Sequence, residues 1–444
     1  CPNNGEKMAG ITNKVKEKRM KKHVFENGLV LLYDRNWTAK LDSFNINVNT
    51  GSLLESEKEK GINHLVEHLM FKSTKNRTTL QISKELESTG AKINAYTDYD
   101  NVCFYFNALP EHVKKCVEIY SDMIFNKFIL LEEFLSEKDV VLQEIAMYED
   151  YPSSVNSDFW FKEFYGWDSI AGTRKSVKSI TLNQVNNFIK RFYVPQNMVI
   201  SVCSSLPYYK IKAIVKKNFG TKSNVGGILA SDRWNFLSVK PYGLKDTSSI
   251  AIKKKDTSQV QLAFGILCPD VYSAETDAEH SAVCKFFSSG LSSILFKEIR
   301  EKLGLCYSIN MDSYSLCHKN LMKKYPALTF ISTSTEKQNV KKCVKEISKL
   351  MFSKDVSAYI TETDVERVRN DIKSQNVSSQ DIAEYNFTRF CLGGKDSSRK
   401  RVKKICKWSV KDAQAATRNV LYRDTCEHPH WFASIYGDVL RKDI

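Results

Sequence analysis

Residues 61–71, GINHLVEHLMF, place His64 and His68 four positions apart, with Glu67 directly before the second histidine. On an α-helix of 3.6 residues per turn, side chains three and four positions apart share one face. Both imidazoles and the carboxylate can therefore address one point. Two neutral imidazole nitrogens and a carboxylate oxygen form a familiar ligand set for a catalytic zinc ion, which keeps a fourth position for water and lowers that water's pKa toward about 7. A carboxylate one step before the second histidine can instead stand beside the water as its general base, which assigns that role to Glu67. The rival reading is an exposed helix face that happens to carry His and Glu. A chance HxxEH is expected in about one chain in a hundred of this composition, so the motif alone does not decide. A third ligand would, and the acidic helical stretch SEKDVVLQEIAMYED at 136–150 offers one.

The elements that must position these groups follow from periodicity. KKHVFENGLVLLYDRN reads as a hairpin with Asn27-Gly28 as a two-residue turn, and LDSFNINVNTGSL alternates as a half-buried strand. Ile62, Leu65, Val66, Leu69 and Met70 then recur at helical spacing, with Gly61 or Asn63 placed to start the helix. TLQISKELESTG is a helix ended by Gly90, and AKINAYTDYDNVCFYFNAL returns to strand. Two long helices are predicted over 110–126 and 131–150. A further helix, a proline stop and an apolar strand follow in SITLNQVNNFIKRFYVPQNMVISVCS.

The second half repeats this order. A strand (QVQLAFGIL) precedes one helix (AEHSAVCKFFSSGLSSILFKEIREKLG), a strand (LCYSINMDSYS), helices over 338–352 and 361–376, a last helix (SVKDAQAATRNVL) and a final strand (WFASIYGDV). A repeat at half the chain length points to an α+β fold of two homologous domains, each a mainly antiparallel sheet packed with helices. We place an N-terminal extension at 1–20, the first domain at 21–220, a linker at 221–245 and the second domain at 246–444.

The 444 residues suit two domains, and 42% hydrophobic with 26% charged residues describes a folded chain rather than a disordered one. No apolar run approaches the roughly 18–20 residues of a membrane-spanning helix, so no span is predicted. The formal charge of +15 raises nucleic acid as a partner. KVKEKRMKK (14–22) and KRVKK (400–404) are the densest basic runs, and neither is interleaved with aromatics as a base-stacking platform would be. They read as solvated surface. The twelve cysteines include no CxxC, and Cys203, Cys268 and Cys284 lie in apolar segments, which fits a reducing compartment such as cytoplasm or an organelle matrix. A lipid anchor on Cys1 is the disfavoured alternative.

HLVEH followed by Glu144 within VLQEI resembles the M16 metallopeptidases, the family of pitrilysin, insulin-degrading enzyme and mitochondrial processing peptidase, whose motif is the inverted HxxEH. ENGLVLLYD, GSLLE, GINHLVEHLMFKST, STGAKINAYTDYDNVCFYF, IAGTRKSVKSIT and FYVPQNM fall in family order. Two departures touch no ligand: FKST replaces the more usual FKGT, and Asn101 stands where Thr is frequent. The resemblance implies the LuxS/MPP-like metallohydrolase fold and one zinc ion per chain, held by His64, His68 and Glu144, with Glu67 activating water. It makes Glu137, two helical turns before Glu144, a supporting acidic residue. It also makes Asn94 and Ala95, in INAYTDYD, the substrate-binding positions of a sheet edge to which peptide adds as a strand. In LSSILFKEIREKLGLCYSI it marks Arg300 and Tyr307 as groups that reach the active site from the second domain.

Read on their own, these residues have plainer roles: Asn94 can end a turn, and Arg300 and Tyr307 can belong to an amphipathic helix and the strand after it. His280 lies in the second domain's counterpart of the zinc helix without a second histidine or base, so that copy reads as metal-free. The resemblance to the family's half-sized subunits implies a homodimer, or a heterodimer with a related subunit, enclosing a chamber for unfolded peptides or extended protein termini. Alternatives are a catalytically silent subunit of the same fold and a presequence-processing subunit. Nucleic-acid binding is a third class.

Overall fold

A computed structural model describes residues 20–224, 227, 249–268, 271, 273–322, 325–352, 356–375, 378–394, 398–421 and 431–440. Cys1, His428 and His430, and most of the expected N-terminal extension and linker, lie outside the described residues.

The opening hairpin joins β1 (Lys21–Val24) to β2 (Val30–Arg35). Its loop differs from the two-residue turn expected. Phe25 N–H donates to Leu29 O at 2.9 Å and Gly28 N–H to Phe25 O at 2.9 Å, so residues 26–28 form a three-residue connection. Next come β3 (Asp42–Val48), α1 (Ile62–Met70), α2 (Thr79–Glu87), β4 (Lys92–Thr97), β5 (Val102–Ala108), α3 (Val113–Phe125) and α4 (Leu131–Glu149). The half continues through α5 (Pro152–Tyr165), α6 (Arg174–Ser179), α7 (Leu182–Phe192), β6 (Met198–Ser204) and α8 (Tyr208–Val215). Its sheet runs β1-β2-β6-β3-β5-β4, antiparallel except for the β2/β6 pair, with β4 at an edge.

The second half contributes β7 (Ser249–Lys254), β8 (Val260–Cys268), α9 (Ala274–Ser288), β9 (Ile309–Tyr314), β10 (Ala327–Thr335), α10 (Val340–Met351), α11 (Glu362–Gln375), α12 (Ser379–Cys391), α13 (Ser398–Ile405), α14 (Val410–Leu421) and β11 (Trp431–Gly437). Its sheet runs β7-β11-β8-β10-β9, again with one parallel pair, β7/β11. Removing β1 from the first sheet leaves the same order and pairing, strand for strand. The repeat expected from element order is therefore present in the topology, and α9 occupies the place of α1.

Three local differences have physical causes. Residues 278–304 were expected as one helix, but α9 starts at Ala274 and stops at Ser288. Gly290 sits at φ +85, and the Arg367 guanidinium donates to the carbonyls of Lys285 and Phe286, each at 3.1 Å, and to that of Ser289. These bonds satisfy the carbonyls a helix end leaves open. Strand β3 was expected to be half-buried, yet all seven of its residues are buried. Helix α12 of the second half packs on β3 and β6, and Ser201 Oγ donates to Ala383 O at 2.6 Å, so the polar positions Ser43, Asn45 and Asn47 face the other half instead of water. Helix α5, which periodicity did not predict, also bridges the halves. Its Trp160 is fully buried and donates from Nε1 to Phe432 O at 3.0 Å.

A polar junction also joins the halves at the β4–β5 turn. The Tyr314 hydroxyl donates to Asp98 Oδ1 at 3.1 Å, and His318 N–H donates to Asp100 Oδ2 at 2.9 Å. Burial pushes the carboxyl of Asp100, 1% exposed, up to about 6 against the lowering effect of its donors. A carboxyl raised in the fold binds its proton more tightly there than in the unfolded chain. Its contribution to stability is present below about pH 4 and is lost as pH rises through about 6. Asp100→Asn is therefore expected to be more stable relative to the parent at pH 8 than at pH 4. Urea midpoints at the two values check this, and a pH-independent difference would contradict it.

Every cysteine among the described residues is a free thiol. No described helix is long and apolar enough to cross a membrane. Of the basic run 400–404, Lys404 lies on α13 and pairs with Glu279 at 3.1 Å.

Candidate metal centre

Helix α1 begins at Gly61, whose φ of +89 is open to glycine; a Cβ there would lie 2.5 Å from Ala171 O. The first turn is held by Glu55, whose carboxylate accepts from Gly61 N–H and Asn63 N–H at 2.8 Å and from Asn63 Nδ2 at 3.0 Å. Burial raises the Glu55 carboxyl to about 7, and these donors oppose the rise. Ile62, Leu65, Val66, Leu69 and Met70 form the buried face, as their spacing predicts. The remaining face carries His64, Glu67 and His68.

Helix α4 packs against α1 and brings Glu144 to that face. Glu144 Oε2 lies 3.7 Å from His64 Nε2 and 3.4 Å from His68 Nε2. One ligating atom from each of the three residues falls within 4.8 Å of the others, and among the described residues this is the one His/Cys/Asp/Glu group of that kind. Zinc bonds of about 2.0–2.2 Å in a tetrahedron separate their ligands by comparable distances, so the residues fit the ion. Desolvation lowers the His64 pKa to about 4, against the raising effect of Glu144, and keeps its imidazole in the neutral form a metal takes. His68 is raised, first by its hydrogen bond to Glu144, and Glu144 is lowered by the same bond.

Glu137, 8% exposed, accepts the other side of His68. Its Oε2 lies 3.4 Å from His68 Nδ1, while its Oε1 pairs with Lys72 Nζ at 2.6 Å. A proton held on Nδ1 leaves Nε2 as the free ligand, the orienting role such carboxylates play. The ring normals of His64 and His68 stand at 70° with centroids 4.7 Å apart. Tyr148, which the sequence did not single out, hydrogen-bonds Glu144 one helical turn further along α4.

Glu67 is partly buried, and Thr97 Oγ1 donates to its Oε2 at 2.5 Å. Burial raises the Glu67 carboxyl and the Thr97 bond pulls it back. Thr97 ends β4, and among the described residues β4 pairs with β5 alone, with Asn94 opposite Tyr105 and Ala95 opposite Phe104. Asn94 and Ala95 thus lie on an edge strand beside the cluster, and Asn94 Oδ1 accepts from Ala95 N–H at 2.9 Å.

Arg300 and Tyr307 are placed differently. The guanidinium stands 5.2 Å from the Tyr307 ring and 4.4 Å from Phe296, and Tyr307 is 79% exposed. The pair is assembled, but its contacts are with one another, Phe296 and Glu301 rather than with the metal cluster. His280 is fully buried on α9, with Nε2 2.8 Å from Thr329 Oγ1, and belongs to no metal group among the described residues.

Residues 30–171 match the family described as insulinase, peptidase family M16, and residues 179–372 match the peptidase M16 inactive domain. An uncharacterized zinc protease of Rickettsia felis is 30% identical over 361 residues, 76% of this chain and 84% of its own length. One from Mycobacterium leprae is 31% identical over 267 residues, which span 59% of this chain and 58% of that protein. A protease from Helicobacter pylori superposes with a TM-score of 0.76 over 94% of this chain and 99% of its own, at 20% identity, which speaks to fold alone. The chain belongs to peptidase family M16.

Proposed function

We propose that the protein is a zinc-dependent endopeptidase that hydrolyses unfolded peptides or extended protein termini. The observation that carries this reading is the convergence of His64, His68 and Glu144 beside an unligated carboxylate, Glu67, at an open sheet edge. Zinc bound by those three residues would supply Lewis acidity toward a substrate carbonyl and a water molecule. The peptide adds to β4 through main-chain hydrogen bonds near Asn94 and Ala95, which accounts for tolerance of varied sequences. Glu67 takes a proton from water as its oxygen bonds to the scissile carbonyl carbon, then delivers it to the leaving amine as the C–N bond breaks. Glu137 holds the His68 ring in its ligating tautomer.

Arg300 and Tyr307 hold the carbonyl oxygen as negative charge develops. Because their contacts lie away from the cluster, we assign this role to the pair on a neighbouring subunit, a second copy or a related chain. Specific activity should then fall on dilution below the dimer's dissociation range. Undiminished activity of a monomer would remove the role in trans. The free thiols support a reducing compartment, cytoplasm or organelle matrix. A catalytically silent subunit has no need of the intact cluster, and presequence processing remains a narrower version of the same reaction. Chelator-sensitive cleavage of an unfolded-peptide mixture tests the reading.

A further inference from the structure

We propose that Thr97 is a positioning residue for the base Glu67, and that the second half of the chain holds Thr97 in place through the Tyr314–Asp98 hydrogen bond. This rests on the peptidase reading above and adds to it a device that aims the base.

The geometry runs in a continuous line. Thr97 Oγ1 donates to Glu67 Oε2 at 2.5 Å, which occupies one carboxylate oxygen with a short charge-assisted bond and leaves Oε1 as the oxygen to face water. Thr97 is the last residue of β4, and the turn after it is tied down at several points. Asp98 N–H donates to Asn101 O at 2.8 Å and Tyr99 N–H to Asp98 Oδ1 at 2.7 Å, within the turn itself. From the second half, the Tyr314 hydroxyl donates to Asp98 Oδ1 at 3.1 Å and His318 N–H to Asp100 Oδ2 at 2.9 Å. The Tyr314 and Tyr99 rings meet edge to face with centroids 6.0 Å apart. Tyr314 ends β9, the strand that begins two residues after Tyr307. The second half thus braces the turn that carries Thr97, and Thr97 in turn fixes the rotamer of the base. The same residue terminates the proposed peptide-binding strand, so base and substrate strand share one anchor.

The test compares Thr97→Val, Thr97→Ser, Tyr314→Phe, the double variant Thr97→Val/Tyr314→Phe and Glu67→Gln, each assayed for kcat, KM, zinc content and melting temperature. Valine is close to isosteric with threonine and lacks the hydroxyl. A hydrogen bond to a charged group corresponds to about a ten- to hundred-fold factor, so Thr97→Val is expected to lose about that in kcat, with KM and zinc content unchanged. Thr97→Ser keeps the donor and should restore most of kcat. Tyr314→Phe should show a smaller kcat loss that disappears in the Thr97→Val background, because both act through one contact. A structural role alone would lower melting temperature without a selective kcat loss or serine rescue. Full kcat in Thr97→Val while Glu67→Gln is inactive overturns the positioning role and leaves the peptidase reading standing. An active Glu67→Gln overturns both. Equal Tyr314→Phe losses in the parent and Thr97→Val backgrounds remove the brace.

Discussion

Glu67→Gln is expected to leave the protein folded and zinc-loaded while lowering turnover by about 10²–10⁴-fold, the range general bases contribute. The substitution changes one atom and keeps an acceptor for the Thr97 hydroxyl, so the packing of α1 against β4 has no reason to shift. Glutamine cannot take a proton from water at neutral pH. The proposed metal ligands His64, His68 and Glu144 are untouched, which separates this loss from a loss of metal. Steady-state cleavage of an unfolded peptide, paired with elemental analysis for zinc, measures both quantities on one sample. Retained turnover with full zinc would mean that another group activates water.

His68→Ala is expected to abolish zinc retention and, with it, cleavage. His68 is the ring most tightly framed, between Glu144 at Nε2 and Glu137 at Nδ1, so its removal takes away one ligand and leaves two carboxylates facing each other without a partner between them. Glu137→Gln provides the graded comparison. It keeps every proposed ligand but removes the negative charge and one of the two oxygens that face His68 and Lys72, and outer carboxylates of this kind are worth about 10–100-fold in metal affinity. Lys72, which pairs with Glu137 Oε1 at 2.6 Å, would lose its charged partner in the same variant. Competition with a chelator of known affinity ranks the three proteins. Zinc binding by His68→Ala equal to the parent would displace the ligand set.

How much of this was legible beforehand depends on the range of the interaction. His64, Glu67 and His68 share one helix face by spacing alone, and the apolar positions of α1 predict which face is buried. Glu144 was not legible from spacing, because α4 also carries Glu132, Glu133, Glu137 and Glu149, and the packing of α4 on α1 selects the ligand. The family resemblance supplied that choice. Thr97, Tyr148 and Lys72 escaped sequence reading for the same reason: each acts through a contact with a residue on another element or another turn. Pattern also misled where the two halves meet. The polar positions of β3 alternate as if facing water, yet α12 covers them, and α5 spends its aromatic face on the partner sheet through Trp160.

The internal repeat was readable in element order, and strand pairing gives it a firmer basis than residue identity could. The parallel pair recurs in each sheet, β2/β6 in one and β7/β11 in the other. Divergence is concentrated at the helix after the third strand of the first sheet and its counterpart. There α1 presents two histidines and a base, while α9 presents His280 buried against Thr329. One scaffold thus offers the proposed metal-ligating face in one half and a packed core position in the other.

The most direct test of the central claim is cleavage of an unfolded-peptide mixture, followed by mass spectrometry, by the zinc-loaded protein, its chelated form and the chelated form resupplied with zinc. Internal peptide bonds should be cut by the first and third samples and left intact by the second. Cleavage that survives complete removal of zinc, or none by a fully loaded protein at concentrations that favour assembly, would contradict the account.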